Sequence, residues 1–314
     1  MSESHDPSVL RLHRVYAAPV AAVWAAWADP AQVAVWWGPR GFTITHHHKD
    51  LRPGGEWRYT MHGPDGKDYP NITKYHEVEP HVRLVYDHGA TADSPPLFRV
   101  TVTFTPEGEG TRLDFAMRFA TAEVAQQSAV FIKKAGGEST WDRLGEYLDD
   151  AQGRRRFHIN RSFDVPIARM YAAWTTPEQL GAWLAPAGAT VEFMRADIRP
   201  GGSSFYVMRS AHGAMYGRVD YLELDPPRRV VYAQQFCDEN EQLSRHPAAP
   251  TWPATMRTVV TFTSEGPNRT RVTLQWEPQD AAANEVETFV NARAGMTQGW
   301  TGSFDKLEEA LAGG

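Results

Sequence analysis

The run RVYAAPVAAVWAAWADPAQVAVWWGP at residues 14–39 returns 147 positions later as RSFDVPIARMYAAWTTPEQLGAWLAP at 161–186. This offset sets Arg14 on Arg161, Pro19 on Pro166, Trp27 on Trp174, Pro30 on Pro177, Trp36 on Trp183 and Pro39 on Pro186. It also carries DLRPGGEW from Asp50 onto DIRPGGSS from Asp197, and with small shifts in loops VTFTPEGEGTRL at 102–113 is echoed by VTFTSEGPNRTRV at 260–272. Near the ends of the copies, WDRLGEYL from Trp141 answers FDKLEEAL from Phe304. Similarity over so long a period means duplication, so the chain must solve one folding problem twice. Its 314 residues, at roughly 150 per domain, give the same count. The expected units are 1–150 and 157–314, joined by the short polar link 151–156.

Each copy opens on a strand-like alternation, Leu10, Leu12 and Tyr16 in the first and Phe157, Ile159 and Phe163 in the second. About twenty residues with helical spacing follow, broken at Asp29-Pro30 and Thr176-Pro177, where proline suits the first turn of a new helix. Alternating runs such as Glu56–Met61, Leu84–Asp87, Phe98–Thr105 and Thr111–Phe119 then sit between glycine- and proline-containing turns, the pattern of an antiparallel meander. Trp300, Phe304, Leu307 and Leu311 form one apolar stripe of a closing helix, matched by Gly137, Trp141, Leu144 and Leu148. The unit is therefore α+β. One helix covers only part of a six- or seven-stranded sheet, so the sheet must curl around it, and an apolar cavity between them is the expected functional feature.

With 42% hydrophobic and 22% charged residues the chain can bury two cores. Its 32 basic against 38 acidic side chains leave a formal charge of −6, which argues against nucleic acid or an anionic membrane as the main partner. The opening MSESHDPSVLRLHRVYAAPV has no apolar core of signal-peptide length, and no run is long enough to span a bilayer, so a soluble cytoplasmic protein is expected. The single Cys237 rules out an intrachain disulfide.

The combination R-x-[YF]-x-x-P, the following W-x-x-W or Y-x-x-W, the D/T-P step and D-[LI]-R-P-G-G resembles the activator of heat-shock-protein-90 ATPase homologue family, within the START or SRPBCC superfamily of birch-pollen-allergen-like folds. The likeness covers both copies nearly end to end. It implies two tandem helix-grip domains, each a curved antiparallel sheet holding a long C-terminal helix over a cavity. Relatives bind lipids, polyketides or hormones, and some catalyse cyclisation or hydrolysis. Eukaryotic co-chaperone members carry a separate N-terminal domain, for which a pattern beginning by Leu10 leaves no room.

The leading expectation is a protein that sequesters or senses a small, mainly hydrophobic ligand, with no cofactor and no metal. Expected liners are Trp24, Trp37, His46, Trp57, Tyr59, Phe98, Phe115 and Phe131 in the first domain and Phe193, Tyr206, Met208, Met256, Leu274 and Trp300 in the second. Trp27, Trp36, Trp174 and Trp183 recur and are read as core, whereas Trp24 and Trp37 face Tyr171 and Leu184 in the other copy. His46 and His48 would share one side of a strand, but a fourth ligand is not in view, and the second copy has Phe193, Met194 and Arg195 instead. His46 could still orient a ligand or titrate near neutrality. Arg14 and Arg161 need buried partners, for which Asp50, Asp197, Glu77 and Glu223 are candidates. Tyr75 with Glu77, and Tyr221 with Glu223, fall on one strand face by alternation. Gly137 opposite Trp300 points to the larger cavity in the first domain, unless Trp141 or Phe131 swings in to fill the space. No nucleophile elbow, triad order, dinucleotide fingerprint or paired-carboxylate motif stands out, so catalytic residues are not assigned. Two rival readings stand beside ligand binding: a cyclase or hydrolase using His46, and a co-chaperone acting on its chaperone through a surface.

Overall fold

A computed structural model describes residues 6–89, 91, 94–134, 136, 138–246 and 248–313. Contacts divide the chain into compact units at 1–153 and 154–314.

In the first unit, β1 (Val9–Tyr16), α1 (Val20–Ala28) and α2 (Pro30–Trp36) are followed by β2 (Thr43–Lys49), β3 (Glu56–His62), β4 (Asp68–Glu79), β5 (Arg83–Gly89), β6 (Phe98–Glu107) and β7 (Gly110–Arg118), then α3 (Ala122–Lys134) and α4 (Ser139–Ala151). The second unit repeats the order: β8 (Phe157–Phe163), α5 (Ile167–Thr175), α6 (Pro177–Trp183), β9 (Ala189–Ala196), β10 (Ser203–Ser210), β11 (Gly213–Asp225), β12 (Arg229–Cys237), β13 (Thr255–Gly266), β14 (Arg269–Gln279), α7 (Ala283–Asn291) and α8 (Arg293–Ala312). The expected link at 151–156 thus begins on the last residue of α4.

Each sheet has seven strands, ordered β1-β7-β6-β5-β4-β3-β2 and β8-β14-β13-β12-β11-β10-β9. All neighbouring pairs are antiparallel, and the first strand of each copy closes the meander by pairing with the last. The two sheets and their helices are the expected pair of tandem helix-grip domains.

Local chemistry explains why the repeated words are kept. Pro30 and Pro177 occupy the first turns of α2 and α6, and the Asp29 side chain accepts from the Ala31 N–H. The indoles of Trp36 and Trp183 donate to the carbonyls of Ala26 and Ala173, at 2.9 and 3.0 Å, which locks each helical hairpin the same way. In the Arg-Pro-Gly-Gly turns, Gly54 and Gly201 take φ of 79° and 77°. A Cβ on the following Gly55 or Gly202 would lie 2.2 Å from the carbonyl oxygen of Asp50 or Asp197, so neither position admits a side chain.

Three sequence expectations are corrected by strand and helix geometry. Arg14 and Arg161 find their carboxylates in the C-terminal part of each copy: Glu138 lies 3.8 Å from Arg14, and Asp305 lies 2.6 Å from Arg161. The acids proposed for them pair locally instead, Asp50 with Arg52, Asp197 with Arg199, Glu77 with Arg83 and Glu223 with Arg229. β-Bulges at Tyr75/Glu77, Tyr221/Glu223 and His46/His48 insert one residue and break the alternation on which those pairings rested.

Candidate functional site

The space between sheet and helices opens in the second domain. Trp174 from α5, Leu180 and Leu184 at α6, Phe193 on β9, Tyr206 on β10, Val219 and Tyr221 on β11, and Val230 and Tyr232 on β12 border a cavity of about 30 Å³. A volume of that size accommodates roughly two water molecules, so the cavity is narrow. Leu184 and Phe193 are half-buried and the other seven liners are buried, which places the mouth between the end of α6 and β9.

Its polar groups are few and uncharged. Burial pushes the Tyr206 phenol up to about 12 and raises those of Tyr221 and Tyr232, so all three stay protonated at neutral pH. The Tyr206 oxygen accepts from Gln234 Nε2 at 2.9 Å, and the hydroxyls of Tyr221 and Ser204 lie 3.1 Å apart. The Trp174 indole N–H is buried and has no partner among the described residues. Gly217, opposite Tyr206, permits this arrangement, because a Cβ there would come 2.4 Å from the Tyr206 hydroxyl.

The corresponding space in the first domain is packed with rings. Tyr59, Tyr75 and Tyr86 stand where the repeat places Tyr206, Tyr221 and Tyr232, but Trp37 replaces Leu184 and Trp57 replaces Ser204. Trp37 donates its indole N–H to the Tyr59 hydroxyl at 3.0 Å, and Trp57 stacks on Tyr59 with centroids 4.0 Å apart. Trp57 also donates to His46 Nδ1 at 3.2 Å, and burial lowers the His46 pKa. His46 Nδ1 thus serves as an acceptor for the core. His47 and His48 are exposed, and among the described residues no cluster of three or more His, Cys, Asp or Glu could hold a metal.

The space expected opposite Trp300 in the first domain is occupied, and the pocket of that domain, about 220 Å³ and more open than the one in the second, lies instead against His47, Arg58, Tyr59, Pro70 and Thr91. Gly137 lies outside the described residues, but the place of Trp300 is taken by Trp141. Its ring lies 6.0 Å from Trp27 at 19°, as Trp300 lies 6.1 Å from Trp174 at 14°. Trp141 also packs 4.5 Å from Phe115. Where the second copy runs α8 continuously from Arg293, the first ends α3 at Lys134 and restarts α4 at Ser139, and the break delivers an indole four positions later in the alignment.

Of the other expected liners, Phe193 and Tyr206 border the cavity. Met256, Leu274 and Trp300 are core residues, and Met208 is partly buried against that core. Trp24 packs edge-on to Phe104, while Phe98 stacks on His88, whose imidazole is pulled down to about 4 by burial. Phe131 is 71% exposed on α3 and cannot line an interior. Seven liners were missed: Trp174, Leu180, Leu184, Val219, Tyr221, Val230 and Tyr232. The usable signal lay in the repeat itself, where the two copies exchange Trp37 for Leu184 and Trp57 for Ser204.

A model of the family described as "Activator of Hsp90 ATPase homolog 1-like protein" matches residues 17–149 and again 164–312. Among solved structures, the chain is similar to a protein from Mycobacterium smegmatis, at 32% identity and a TM-score of 0.43 over 46% of this chain and 93% of that one. It is also similar to a protein from Nitrosomonas europaea, at 26% identity and a TM-score of 0.43 over 47% of this chain and 97% of that one. No curated protein matches the chain. No described helix is long and apolar enough to cross a membrane.

Proposed function

The chain belongs to the Activator of Hsp90 ATPase homolog 1-like family, twice over, and on that premise we propose that its second domain binds a small, mainly apolar molecule while its first domain is the filled counterpart. The observation that carries this reading is the cavity behind Leu184 and Phe193, set against the same place in the first domain occupied by Trp37 and Trp57. A narrow space walled by aromatic rings and aliphatic side chains favours a flat molecule, since burying apolar surface contributes about 25 cal/mol per Å² and charge finds no counterion there. Ligand entry requires Leu184 and Phe193 to part, a side-chain movement at the least buried point of the wall.

Calorimetric titration with indane, a flat bicyclic hydrocarbon, tests the proposal. Wild-type protein is expected to bind one equivalent, and Leu184→Trp, which copies the first domain's residue at the mouth, to lose at least tenfold in affinity. Absence of binding to the wild type, or equal binding to both proteins, contradicts it.

A further inference from the structure

The cavity wall carries an imbalance of hydrogen-bonding groups that specifies more than apolar shape. Trp174 borders it and is 3% exposed, yet its Nε1–H has no acceptor. The Tyr206 oxygen already accepts from Gln234, so what this phenol has left to offer is its proton. The Tyr221 and Ser204 hydroxyls satisfy one another with one proton between them and leave a second. The remaining liners are Leu180, Leu184, Phe193, Val219, Val230 and Tyr232. None of the nine is a cation, an anion or an amide, so the wall offers an unpaired indole donor, three phenols and no charge.

Recurrence sharpens the point. In the first domain two indole donors are satisfied inside the protein, Trp37 giving its N–H to Tyr59 and Trp57 giving its N–H to His46, while the buried Tyr75 hydroxyl has no partner among the described residues. The second domain replaces both tryptophans, with Leu184 and Ser204, and Phe193 stands in the place of the acceptor His46. An unpaired buried donor is costly.

From this we infer that the ligand is neutral and flat and carries a carbonyl-type acceptor, which takes the Trp174 N–H. This rests on the reading that the second-domain cavity binds a ligand at all. An aryl ketone fits the chemistry: its ring system meets the aromatic wall, and its oxygen accepts without bringing charge into a site that has no counterion.

The test compares 1-indanone with indane, which share one bicyclic skeleton and differ in the carbonyl. Calorimetric titrations of the full chain should give a dissociation constant about tenfold lower for 1-indanone, the size expected for satisfying one buried donor. Trp174→Phe should bring the ratio of the two constants close to one, whereas Tyr206→Phe should leave most of it. Using the ratio cancels any general loosening of the cavity by the substitution. If wild-type protein binds the two compounds equally, the acceptor requirement is wrong while the binding proposal stands, as it would be were a trapped water already accepting from Trp174. If neither compound binds, both readings fall. If the preference is lost in Tyr206→Phe and kept in Trp174→Phe, the donor assigned here is the wrong one.

Discussion

At the scale of single residues, what separates the two copies is how each disposes of polar atoms in an aromatic interior. Lys49 is a case in the first domain: its ammonium donates to the Trp27 carbonyl at 2.6 Å, near the end of α1, and lies 4.3 Å from the Trp57 ring centroid. Burial pulls its pKa down to about 7, with Asp29 opposing. In the unfolded chain the amine titrates near its usual value of about 10.4. Below pH 7 both states carry the proton and the native state bears the full cost of a buried charge. Between about 7 and 10 the unfolded chain holds more protons, so this cost is relieved as pH rises. Urea denaturation of wild type and Lys49→Met should therefore show the wild type gaining stability relative to the variant from pH 6 to pH 9. A difference that stays constant with pH would show that Lys49 is not buried as described.

At the scale of elements, the strands and the helical hairpins were legible because their signals are local: alternation, Pro at the first helical turn, and glycine where no Cβ fits. The β-bulges were not. One inserted residue at His46/His48 or Tyr75/Glu77 leaves no compositional mark, yet it reassigns every side chain that parity had placed. The closing helix failed for a related reason. Its stripe reads continuously in both copies, but the interruption between α3 and α4 lets Trp141 occupy the position that alignment reserves for Gly137. The donor–acceptor surplus around the cavity was similarly out of reach, since it depends on which rings meet across β9 to β12. Pairing of β10 with β11 gives a prediction at this scale. Gly217→Ala would drive a Cβ into the Tyr206 ring, which cannot move without disturbing Gln234, and should destabilise the protein by about 1–3 kcal/mol, the range for overpacking a core. Chemical denaturation measures it, and an unchanged midpoint would mean that the ring has room to give.

Considered as a whole molecule, the chain is one family domain used twice with different interiors. Both copies keep the seven-stranded meander, the Trp36/Trp183 anchor and the three buried tyrosines, so the scaffold is common property. They part at the volume set by Trp37 and Trp57 against Leu184 and Ser204. Under the proposed reading a ligand is held in one domain, without two equivalent sites. Xenon offers the most direct measurement, because it enters apolar cavities irrespective of ligand chemistry. In a crystal of the protein pressurised with xenon, the account predicts density in the second domain between Trp174, Phe193 and Tyr206, and none among Trp37, Trp57 and Tyr59. Xenon inside the first domain, or in neither, would contradict it.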